Sequence, residues 1–374
     1  MSKAKLVCVV GARPNFMKIA PIMAELNKPE SKFDAYLVHT GQHYDAEMKH
    51  SFFDQLGIPE PDVDLGVGSG SHAVQTAEVM KRFEPVLDEQ KPVAILVVGD
   101  VNSTIACALV AVKKDIPVIH VEAGLRSYDR KMPEEINRVL TDQISDLMFT
   151  TERSAADNLA KEGIELEKVH FVGNVMIDTL LNNVKKSVPI ENLAGKAANL
   201  SGILSSKNGF ALLTMHRPSN VDQKSVLERL LAVIREISEE LPIIFPVHPR
   251  TAKKIEEFGL AHLLDTPAIC RIGPLSYLEL LGVMSKATLV LTDSGGIQEE
   301  TTALGVPCIT LRENTERPIT AVEGTNTIVG TDVAKIRRVV TETLEHGGKT
   351  GRIPEFWDGR AAERIVEILE QKYC

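Results

Sequence analysis

The run Leu-Val-Leu-Thr-Asp-Ser-Gly-Gly-Ile-Gln-Glu-Glu at residues 289–300 predicts a buried strand that ends in a Gly-Gly turn and opens into a helix. Glycines let a pyrophosphate approach the backbone N–H groups at such a helix start, and Ser294 can donate its hydroxyl. Glu300, one turn further on, is placed for ribose hydroxyls, like the acidic residue of other nucleotide folds. Arg312 and Arg317 follow the next strand and can neutralise phosphate charge. A merely tight turn explains the glycines but not the residues around them.

Short apolar, β-branched runs alternate with helical stretches on both sides of this unit. Continuous apolar strands separated by helices are what a parallel sheet covered on both faces requires. The predicted strands are Leu6–Val10, Ala35–His39, Ala94–Gly99, Val118–Val121, Leu147–Thr150 and Val169–Val172 in the first half, and Ala211–Met215, Ile243–Val247, Ile269–Ile272, Leu289–Thr292, Pro307–Leu311 and Thr327–Val329 in the second. The pattern predicts an α/β fold with two doubly wound, Rossmann-like parallel-sheet domains.

The chain has 374 residues, which is the length of two ordinary domains. We expect the break within residues 182–208, a polar stretch with weak helical pieces and no strong apolar run. The N-terminal domain is placed at residues 1–180 and the C-terminal nucleotide-binding domain at residues 181–358. Apolar residues at helical spacing predict a closing helix within residues 359–374, packed back on the N-terminal domain.

Charge and cysteine content exclude some classes of function. There are 51 Asp and Glu against 42 Lys and Arg, a formal net charge of −9. This balance argues against nucleic acid or an anionic membrane as the main partner, although local positive charge can still bind an anion. Five cysteines without a C-x-x-C pair predict buried, reduced thiols rather than a metal site or disulfides. The first apolar run is too short for a membrane span and leads into no signal cleavage region, which predicts a cytoplasmic protein.

Three carboxylates stand at predicted strand or helix ends. Asp100 follows a buried strand, where it can also serve as a helix cap. Glu122 follows another apolar strand, a place where a carboxylate is costly unless it is paired or used. Glu134 lies at a helix start after Pro133, where the helix dipole alone can explain it. Carboxylates that converge at one site would supply an acid and a base with different pKa values.

Two cations follow the first predicted strand, at a strand–helix junction of the kind that binds anions. They are Arg13 and Lys18, which supply the positive charge that the whole chain lacks. Only Gly11 fits the G-x-G-x-x-G fingerprint, so a nicotinamide dinucleotide is disfavoured. The alternative is a proline in the first helical turn with two solvated cations.

Two histidines directly follow predicted strands in the second half of the chain. His216 stands beside Arg217 at a strand end, which suits phosphate binding or proton transfer. His248 occupies a similar place, and there we prefer a loop histidine without a chemical role.

Together these blocks resemble the non-hydrolysing UDP-N-acetylglucosamine 2-epimerases over essentially the whole chain. The matching runs are Gly11-Ala12-Arg13-Pro14 with Lys18, Gly99-Asp100, His120-Val121-Glu122-Ala123-Gly124-Leu125-Arg126, Pro133-Glu134-Glu135 with Asn137-Arg138, His216-Arg217, Thr292-Asp293-Ser294-Gly295-Gly296-Ile297-Gln298-Glu299-Glu300 and Thr315-Glu316-Arg317-Pro318. The resemblance implies a glycosyltransferase-B-like pair of domains facing a central cleft, usually in a homodimer. It implies interconversion of UDP-GlcNAc and UDP-ManNAc for surface polysaccharide synthesis, with no cofactor or metal.

The resemblance also assigns roles by position. It places Arg13, Lys18, Asp100, Glu122 and His216 along the sugar and diphosphate, and Ser294, Gly295, Gly296 and Glu300 along the diphosphate and ribose, with Arg317 beside the phosphates. Leu275 and Leu280 match the uridine-side positions of the family, where the residue types differ and contact would be through the backbone.

The chain departs from the family in two places. Pro218 and Ser219 follow His216-Arg217, where many members carry a further Arg and a Glu. This removes charge near the site and leaves the sugar open, since relatives that act on diacetamido uronic acid nucleotides share the framework. Tyr44 stands where a basic residue is common, so activation by UDP-GlcNAc, known in some members, is not assumed.

The hydrogen on C2 of the sugar is not next to a carbonyl, so the reaction expected is elimination and re-addition of UDP through a 2-acetamidoglucal. Removing a proton from one face of C2 and returning it to the other needs more than one acid–base group. Asp100, Glu122 and Glu134 are therefore expected to act as general acids and bases. The competing functions are a glycosyltransferase of the same fold, a hydrolysing epimerase and a nucleotide-sugar sensor. Three costly carboxylates argue against the sensor.

Overall fold

The computed structural model describes residues 3–41, 53–197 and 199–374, apart from the side chains of Arg13 and Ala194. The chain forms two compact units. The first contains residues 1–182 and 355–374, and the second contains residues 183–354. None of the described helices combines the length and apolar character needed to cross a membrane.

The first unit is built on a seven-stranded parallel sheet. Its strands are β1 Ala4–Val10, β2 Phe33–His39, β3 Val63–Asp64, β4 Ala94–Val98, β5 Val118–Val121, β6 Leu147–Thr150 and β7 Val169–Phe171. Its helices include α1 Arg13–Leu26, α2 His72–Gln90, α3 Asn102–Lys113, α4 Pro133–Gln143, α5 Arg153–Lys161 and α6 Val175–Asn183. The strand order is β3-β2-β1-β4-β5-β6-β7, so the winding reverses between β1 and β4. In a doubly wound sheet, ligands bind beyond the strand ends at such a reversal.

The central strands are apolar throughout because helices cover both faces of the sheet. Every residue of Leu6–Val10 is at most 3% exposed, and Ala94–Val98 is buried to the same degree. A solvent-facing sheet would show alternation instead, so the continuous apolar pattern correctly predicted a parallel sheet.

The second unit is built on a six-stranded parallel sheet. Its strands are β8 Ala211–Thr214, β9 Ile243–Pro246, β10 Ile269–Ile272, β11 Leu289–Thr292, β12 Cys308–Thr310 and β13 Asn326–Ile328. Its helices are α7 Leu200–Leu204, α8 Pro218–Val221, α9 Lys224–Ser238, α10 Pro249–Glu257, α11 Tyr277–Met284, α12 Gly295–Leu304, α13 Pro318–Val322 and α14 Val333–His346. The order β10-β9-β8-β11-β12-β13 reverses between β8 and β11. Two doubly wound α/β domains are therefore confirmed.

The polar stretch expected to link the domains is packed onto the second unit. Ile190, Leu193 and Ile203 are at most 4% exposed. The Val188 N–H donates to the Leu278 carbonyl (3.0 Å). A Cβ at Gly282 would lie 1.9 Å from the Val188 oxygen, so only glycine permits this approach. A few buried apolar residues, spread over short helices, are enough to pack this segment onto the second unit, although its sequence has no continuous apolar run.

After residue 354 the chain returns to the first unit through Trp357 and the helix α15 Ala361–Tyr373. Trp357 is 3% exposed, and its Nε1 donates to the Thr151 carbonyl (3.2 Å). The Asp178 carboxylate of α6 accepts the N–H groups of Ala361 (3.2 Å) and Ala362 (2.7 Å). This carboxylate satisfies two of the otherwise unpaired N–H groups at the start of the helix.

Asp178 makes the stability of this attachment depend on pH. Burial raises its pKa from the ordinary 3.8 to about 6, against the opposing hydrogen bonds from Ala362 and Ala361. Between about pH 4 and 6 the folded state therefore retains a proton that the unfolded chain has released. The free energy of unfolding should fall across this interval as the pH rises, by up to about 3 kcal/mol.

Asp178→Asn is expected to remove this part of the pH dependence, because the amide cannot ionise. Urea unfolding of both proteins at pH 4, 5, 6 and 7 measures the difference. The exposed Asp34 supplies the control, Asp34→Asn. Parallel curves for the wild type and Asp178→Asn over this range would contradict the assignment.

All five cysteines are free thiols. Cys8, Cys107, Cys270 and Cys308 are buried and Cys374 is exposed. Burial raises the pKa of Cys8 to about 12, so this thiol stays protonated at neutral pH.

Candidate active site

A buried ion pair lies at the carboxyl ends of the first unit's central strands. Lys18 of α1 places its Nζ 2.6 Å from Oε1 of Glu122, which follows β5. Both side chains are at most 4% exposed. Gly99 after β4 has a positive φ of 65°, and a Cβ there would lie 2.7 Å from the Lys18 Nζ. The end of β4 must therefore carry glycine for Lys18 to reach Glu122.

Glu122 has a backbone conformation that side-chain-bearing residues rarely adopt. Its φ is +73°, in the left-handed region. The N–H groups of Glu122 and Ala123 both donate to the Phe149 carbonyl of β6, each at 3.0 Å. Such a conformation costs of the order of 1–3 kcal/mol and persists only where the surroundings fix it.

Asp100 is held from α4. Arg138 donates from Nη2 to the Asp100 carboxylate (2.5 Å) and from Nη1 to Glu135 (2.7 Å). Asn137 donates to the Asp100 carbonyl (2.9 Å). The Asp100 side chain is 15% exposed, so its carboxylate is both oriented by the guanidinium and open to solvent.

The backbone at the start of α1 is not an open anion site. Asn15 accepts through Oδ1 the N–H groups of Gly11 (3.1 Å) and Ala12 (3.2 Å), and its Nδ2 donates to the Val98 carbonyl (2.9 Å). The N–H groups of Gly11 and Ala12 are therefore not free to bind an anion, and the anion site predicted at this junction stays a prediction. The Lys18 ammonium, the second cation expected here, is paired with Glu122. The Arg13 side chain lies outside the described residues, as do Gln42, His43 and Tyr44.

The two neighbouring glutamates of α4 differ in their surroundings. Glu134 is half-buried in the first turn and makes no hydrogen bond or ion pair with the described residues. Glu135 is 3% exposed and accepts the N–H groups of Ser127 (3.0 Å) and Tyr128 (2.8 Å). Glu135 thus orders the loop after β5, a role that the sequence did not reveal.

In the second unit, Asp293 follows β11 and accepts hydrogen bonds from the segment that follows β8. Its Oδ2 accepts the N–H groups of His216 and Arg217, each at 2.9 Å, and the Asn220 amide at 3.1 Å. Burial would raise the pKa of Asp293, but the hydrogen bonds from His216 and Arg217 hold it below its usual range. The sequence placed Asp293 in the diagnostic run without a role, and the structure shows a fixed carboxylate anchor.

His216 is oriented by this anchor. Its Nδ1 lies 3.0 Å from Asp293 Oδ1, and the side chain is 36% exposed. With Nδ1–H directed at the carboxylate, Nε2 is left to exchange a proton or contact an anion. The His248 ring lies 5.4 Å from the His216 ring, and its Nδ1 accepts the Arg250 N–H (3.2 Å) at the start of α10. His248 is thus a helix cap.

The start of α12 adjoins a guanidinium. Ser294 is the N-cap, and its hydroxyl makes no capping bond among the residues described. A Cβ at Gly295 would lie 2.7 Å from both Arg317 Nη1 and Glu316 Oε1. The first-turn N–H groups and a cation therefore meet at one point, which suits a phosphate.

Three arginines surround Glu316, which is 1% exposed. Arg317 pairs with Glu316 through Nη1 (2.7 Å) and with Glu299 through Nε (2.8 Å). Arg312 Nη2 lies 2.8 Å from Glu316, and Arg217 Nη2 lies 3.8 Å from it. Glu316 and Glu299 thus hold guanidinium groups in place beside the α12 start.

The remaining assigned residues lie around this group. Gly296 follows Gly295 in the first turn of α12, and Glu300 is 4% exposed on the same helix. Both leucines follow the edge strand β10. Leu275 precedes α11 and is buried, and Leu280 lies on α11 and is half-buried. Two strands separate β10 from β11, a distance of about 14 Å at ordinary strand spacing. Their proposed uridine contacts remain predictions.

Known proteins match the chain over nearly its full length. A family model described as UDP-N-acetylglucosamine 2-epimerase matches residues 25–370. A UDP-N-acetylglucosamine 2-epimerase of Methanococcus maripaludis is 43% identical over 98% of each chain. A UDP-2,3-diacetamido-2,3-dideoxy-D-glucuronate 2-epimerase of Pseudomonas aeruginosa is 39% identical over 98% of this chain and 99% of its own. The crystal structure of Methanocaldococcus jannaschii UDP-GlcNAc 2-epimerase with UDP-GlcNAc and UDP matches with a TM-score of 0.86 at 43% identity, covering 98% and 99%.

These matches extend through both units, so they concern more than a nucleotide-binding sheet shared by many enzymes. They also agree with the glycosyltransferase-B-like class of fold expected from the resemblance. Because the family model and these relatives cover both units, this chain is an enzyme that belongs to the UDP-N-acetylglucosamine 2-epimerase family.

Proposed function

We propose that the protein interconverts UDP-GlcNAc and UDP-ManNAc by inverting C2 of the sugar without a bound cofactor. The observation that carries the proposal is the buried Lys18–Glu122 pair (2.6 Å) at the strand ends of the first unit. UDP binding alone does not require a carboxylate that is both desolvated and held in a left-handed backbone.

In the proposed reaction a carboxylate removes the proton from C2 while the C1–O bond breaks and UDP leaves. The electron pair of the C2–H bond forms the C1=C2 bond of a 2-acetamidoglucal. Return of a proton to the opposite face of C2 and re-addition of UDP at C1 complete the inversion, with no net oxidation. Asp100, Glu122 and Glu134 form the proposed acid–base set, because transfer on two faces needs more than one group.

Departure of UDP places negative charge on the diphosphate. Arg317, His216 and the first turn of α12 at Gly295 and Gly296 are proposed to stabilise this charge. The contact between the Gly295 position and the Arg317 guanidinium supports this role. Fixed donors and cations of this kind are worth most where charge develops in the transition state.

A second substrate is favoured by one comparison. The Pseudomonas aeruginosa relative, 39% identical, acts on a UDP-diacetamido-glucuronate according to its name. Pro218 and Ser219 of this chain also depart from the more highly charged sequence of many UDP-GlcNAc epimerases. A 2-epimerase of a UDP-diacetamido-uronic acid is therefore the alternative proposal.

The test is incubation with UDP-GlcNAc in deuterated water, followed by proton NMR. Deuterium at C2 and growth of UDP-ManNAc to a steady mixture would support the proposal. Release of free N-acetylmannosamine and UDP would indicate the hydrolysing reaction instead. Absence of exchange would overturn the UDP-GlcNAc assignment, and exchange with the diacetamido uronate alone would establish the alternative.

Gly295→Ala should weaken UDP binding about tenfold or more. The added Cβ would lie 2.7 Å from Arg317 Nη1 and Glu316 Oε1, which pushes the guanidinium away from the helix start. Calorimetric titration with UDP measures the change. Gly202→Ala is the control, since a Cβ there meets nothing within 4 Å. Unchanged UDP affinity in the Gly295 variant would place the diphosphate elsewhere.

A homodimer in the cytoplasm is part of the same proposal, on the resemblance described above. Light scattering of the purified protein measures its mass in solution, and a monomer at working concentration would contradict this part.

A further inference from the structure

A buried carboxylate of the first unit contacts the chain on both sides of Glu122. Asp142 of α4 is fully buried, and its Oδ1 lies 2.6 Å from Nδ1 of His120, two residues before Glu122. Its Oδ2 accepts the N–H of Gly124 (3.1 Å), two residues after Glu122, and Nη2 of Arg126 (2.6 Å). One carboxylate therefore holds both flanks of the left-handed residue.

His120 extends this contact to the end of β4. Its ring is fully buried, and Nε2 lies 2.8 Å from the Gly99 carbonyl. The next residue along the chain is Asp100. Through one histidine ring, Asp142 is thus connected to the turns that carry both Asp100 and Glu122.

The partners of His120 define which ring nitrogens carry protons. A carbonyl oxygen can only accept, so Nε2 must donate to Gly99. Burial opposes ionisation of Asp142, but His120 and Arg126 more than offset this and hold the pKa of Asp142 below its ordinary value. His120 thus bridges the Gly99 carbonyl and the Asp142 carboxylate.

Arg126 extends this buried group. It pairs with Asp142 and with Glu162 (2.6 Å each), so the guanidinium lies between two carboxylates. Removing one member of a buried group of this kind leaves an uncompensated charge, which is strongly destabilising.

We propose that Asp142 and His120 are positioning residues of the reaction, which together fix the backbone that presents Asp100 and Glu122. This inference rests on the proposed function of those two carboxylates. Neither Asp142 nor His120 is assigned a substrate contact. Acid–base groups act efficiently only within about 0.5 Å of the productive geometry, so loosening either turn should slow proton transfer.

Two variants of His120 separate its two hydrogen bonds. His120→Asn keeps a donor near Nδ1 and loses the bond to Gly99, whereas His120→Gln keeps a donor near Nε2 and loses the bond to Asp142. Each should lower kcat for C2 deuterium exchange about 10- to 100-fold, with KM and the Kd for UDP within about twofold of the wild type. Asp142→Asn should affect kcat at least as strongly.

Glu162→Gln is the matched control. It neutralises a member of the same charged group but touches neither Asp142 nor His120. It should lower Tm and leave kcat within about twofold. If the His120 variants lose Tm like this control but retain wild-type kcat, the two residues only support the fold and the proposal is overturned.

NMR of the full-length protein labelled with ¹⁵N-histidine tests the inference without any activity. A slowly exchanging ring N–H signal, absent from His120→Gln, is expected from the contact with the Gly99 carbonyl. Rapid solvent exchange of every ring N–H of His120 would overturn this contact. If the wild type gave no C2 exchange with either nucleotide sugar, the proposed function would fail. The NMR result would still decide whether His120 is held between Asp142 and the Gly99 carbonyl.

Discussion

Glu122→Gln should reduce C2 deuterium exchange about 10²–10⁴-fold, the range that a positioned acid–base group contributes. The amide has the shape of the carboxylate but cannot accept the proton. In the wild type the Lys18 Nζ lies 2.6 Å from Glu122 Oε1, and the substitution leaves this ammonium without its charged partner. UDP affinity should stay within about threefold, because Arg317, His216 and the α12 start, which are proposed to stabilise the charge on UDP, belong to the second unit. NMR in deuterated water and calorimetry with UDP measure the two quantities.

Glu78→Gln provides the control for this substitution. Glu78 lies on α2 of the same unit and pairs with Lys81 and Arg82 at the surface. Exposed pairs of this kind contribute little, so its exchange rate should equal that of the wild type. A Glu122→Gln protein that exchanges C2–H at the wild-type rate would remove Glu122 from the acid–base set and shift attention to Asp100 and Glu134.

The sheets were predictable because buried parallel strands consist of uninterrupted runs of apolar residues. All twelve strands expected from the sequence are present, with ends shifted by at most two residues. β3 was missed because it has two residues, Val63 and Asp64, one half-buried and one exposed. Two residues give no run and no alternation, and the strand exists only because β2 offers an edge to pair with.

Part of the candidate site was visible in the sequence and part was not. Glu122 could be found because a carboxylate directly after an apolar strand is unusual. Asp142 and Glu316 could not, because charged residues within a helix or loop are ordinary. What distinguishes Asp142 is a histidine 22 residues away, brought to it by the packing of α4 on the sheet. Such contacts between distant residues are a product of the fold, and no local spacing predicts them.

Contacts between distant residues also decide the backbone before α1. Strand–turn–helix junctions leave N–H groups free in general. The side chain of Asn15 folds back to accept two of them and also reaches the Val98 carbonyl of β4. The contact with Val98 lies 83 residues away in the sequence, so local spacing could not predict this orientation of the asparagine. At the α12 start the hydroxyl of Thr292 accepts the N–H of the N-cap Ser294 (3.0 Å). The phosphate proposal rests on the N–H groups of the following first turn, at Gly295 and Gly296, which adjoin the Arg317 guanidinium.

Arg317→Met is the second substitution with a large expected effect. It should reduce C2 exchange about 10²–10³-fold, the usual loss when one fixed group that stabilises developing charge is removed. Unlike Glu122→Gln, it should also weaken UDP binding, because the guanidinium adjoins the Gly295 position in the ground state as well. Arg337→Met is the control, since Arg337 pairs with Glu236 at the surface of the same unit.

Arg317→Lys distinguishes charge from geometry at this position. The guanidinium pairs with Glu299 through Nε and with Glu316 through Nη1, and a single ammonium cannot reproduce this fork. If charge alone matters, the lysine variant should recover most of the UDP affinity and of the exchange rate. We expect recovery of affinity but only a small part of the rate, because the transition state needs the cation at one fixed place and the two glutamates set that place. Full recovery of the rate would show that the ion pairs with Glu299 and Glu316 support the fold and not the departure of UDP.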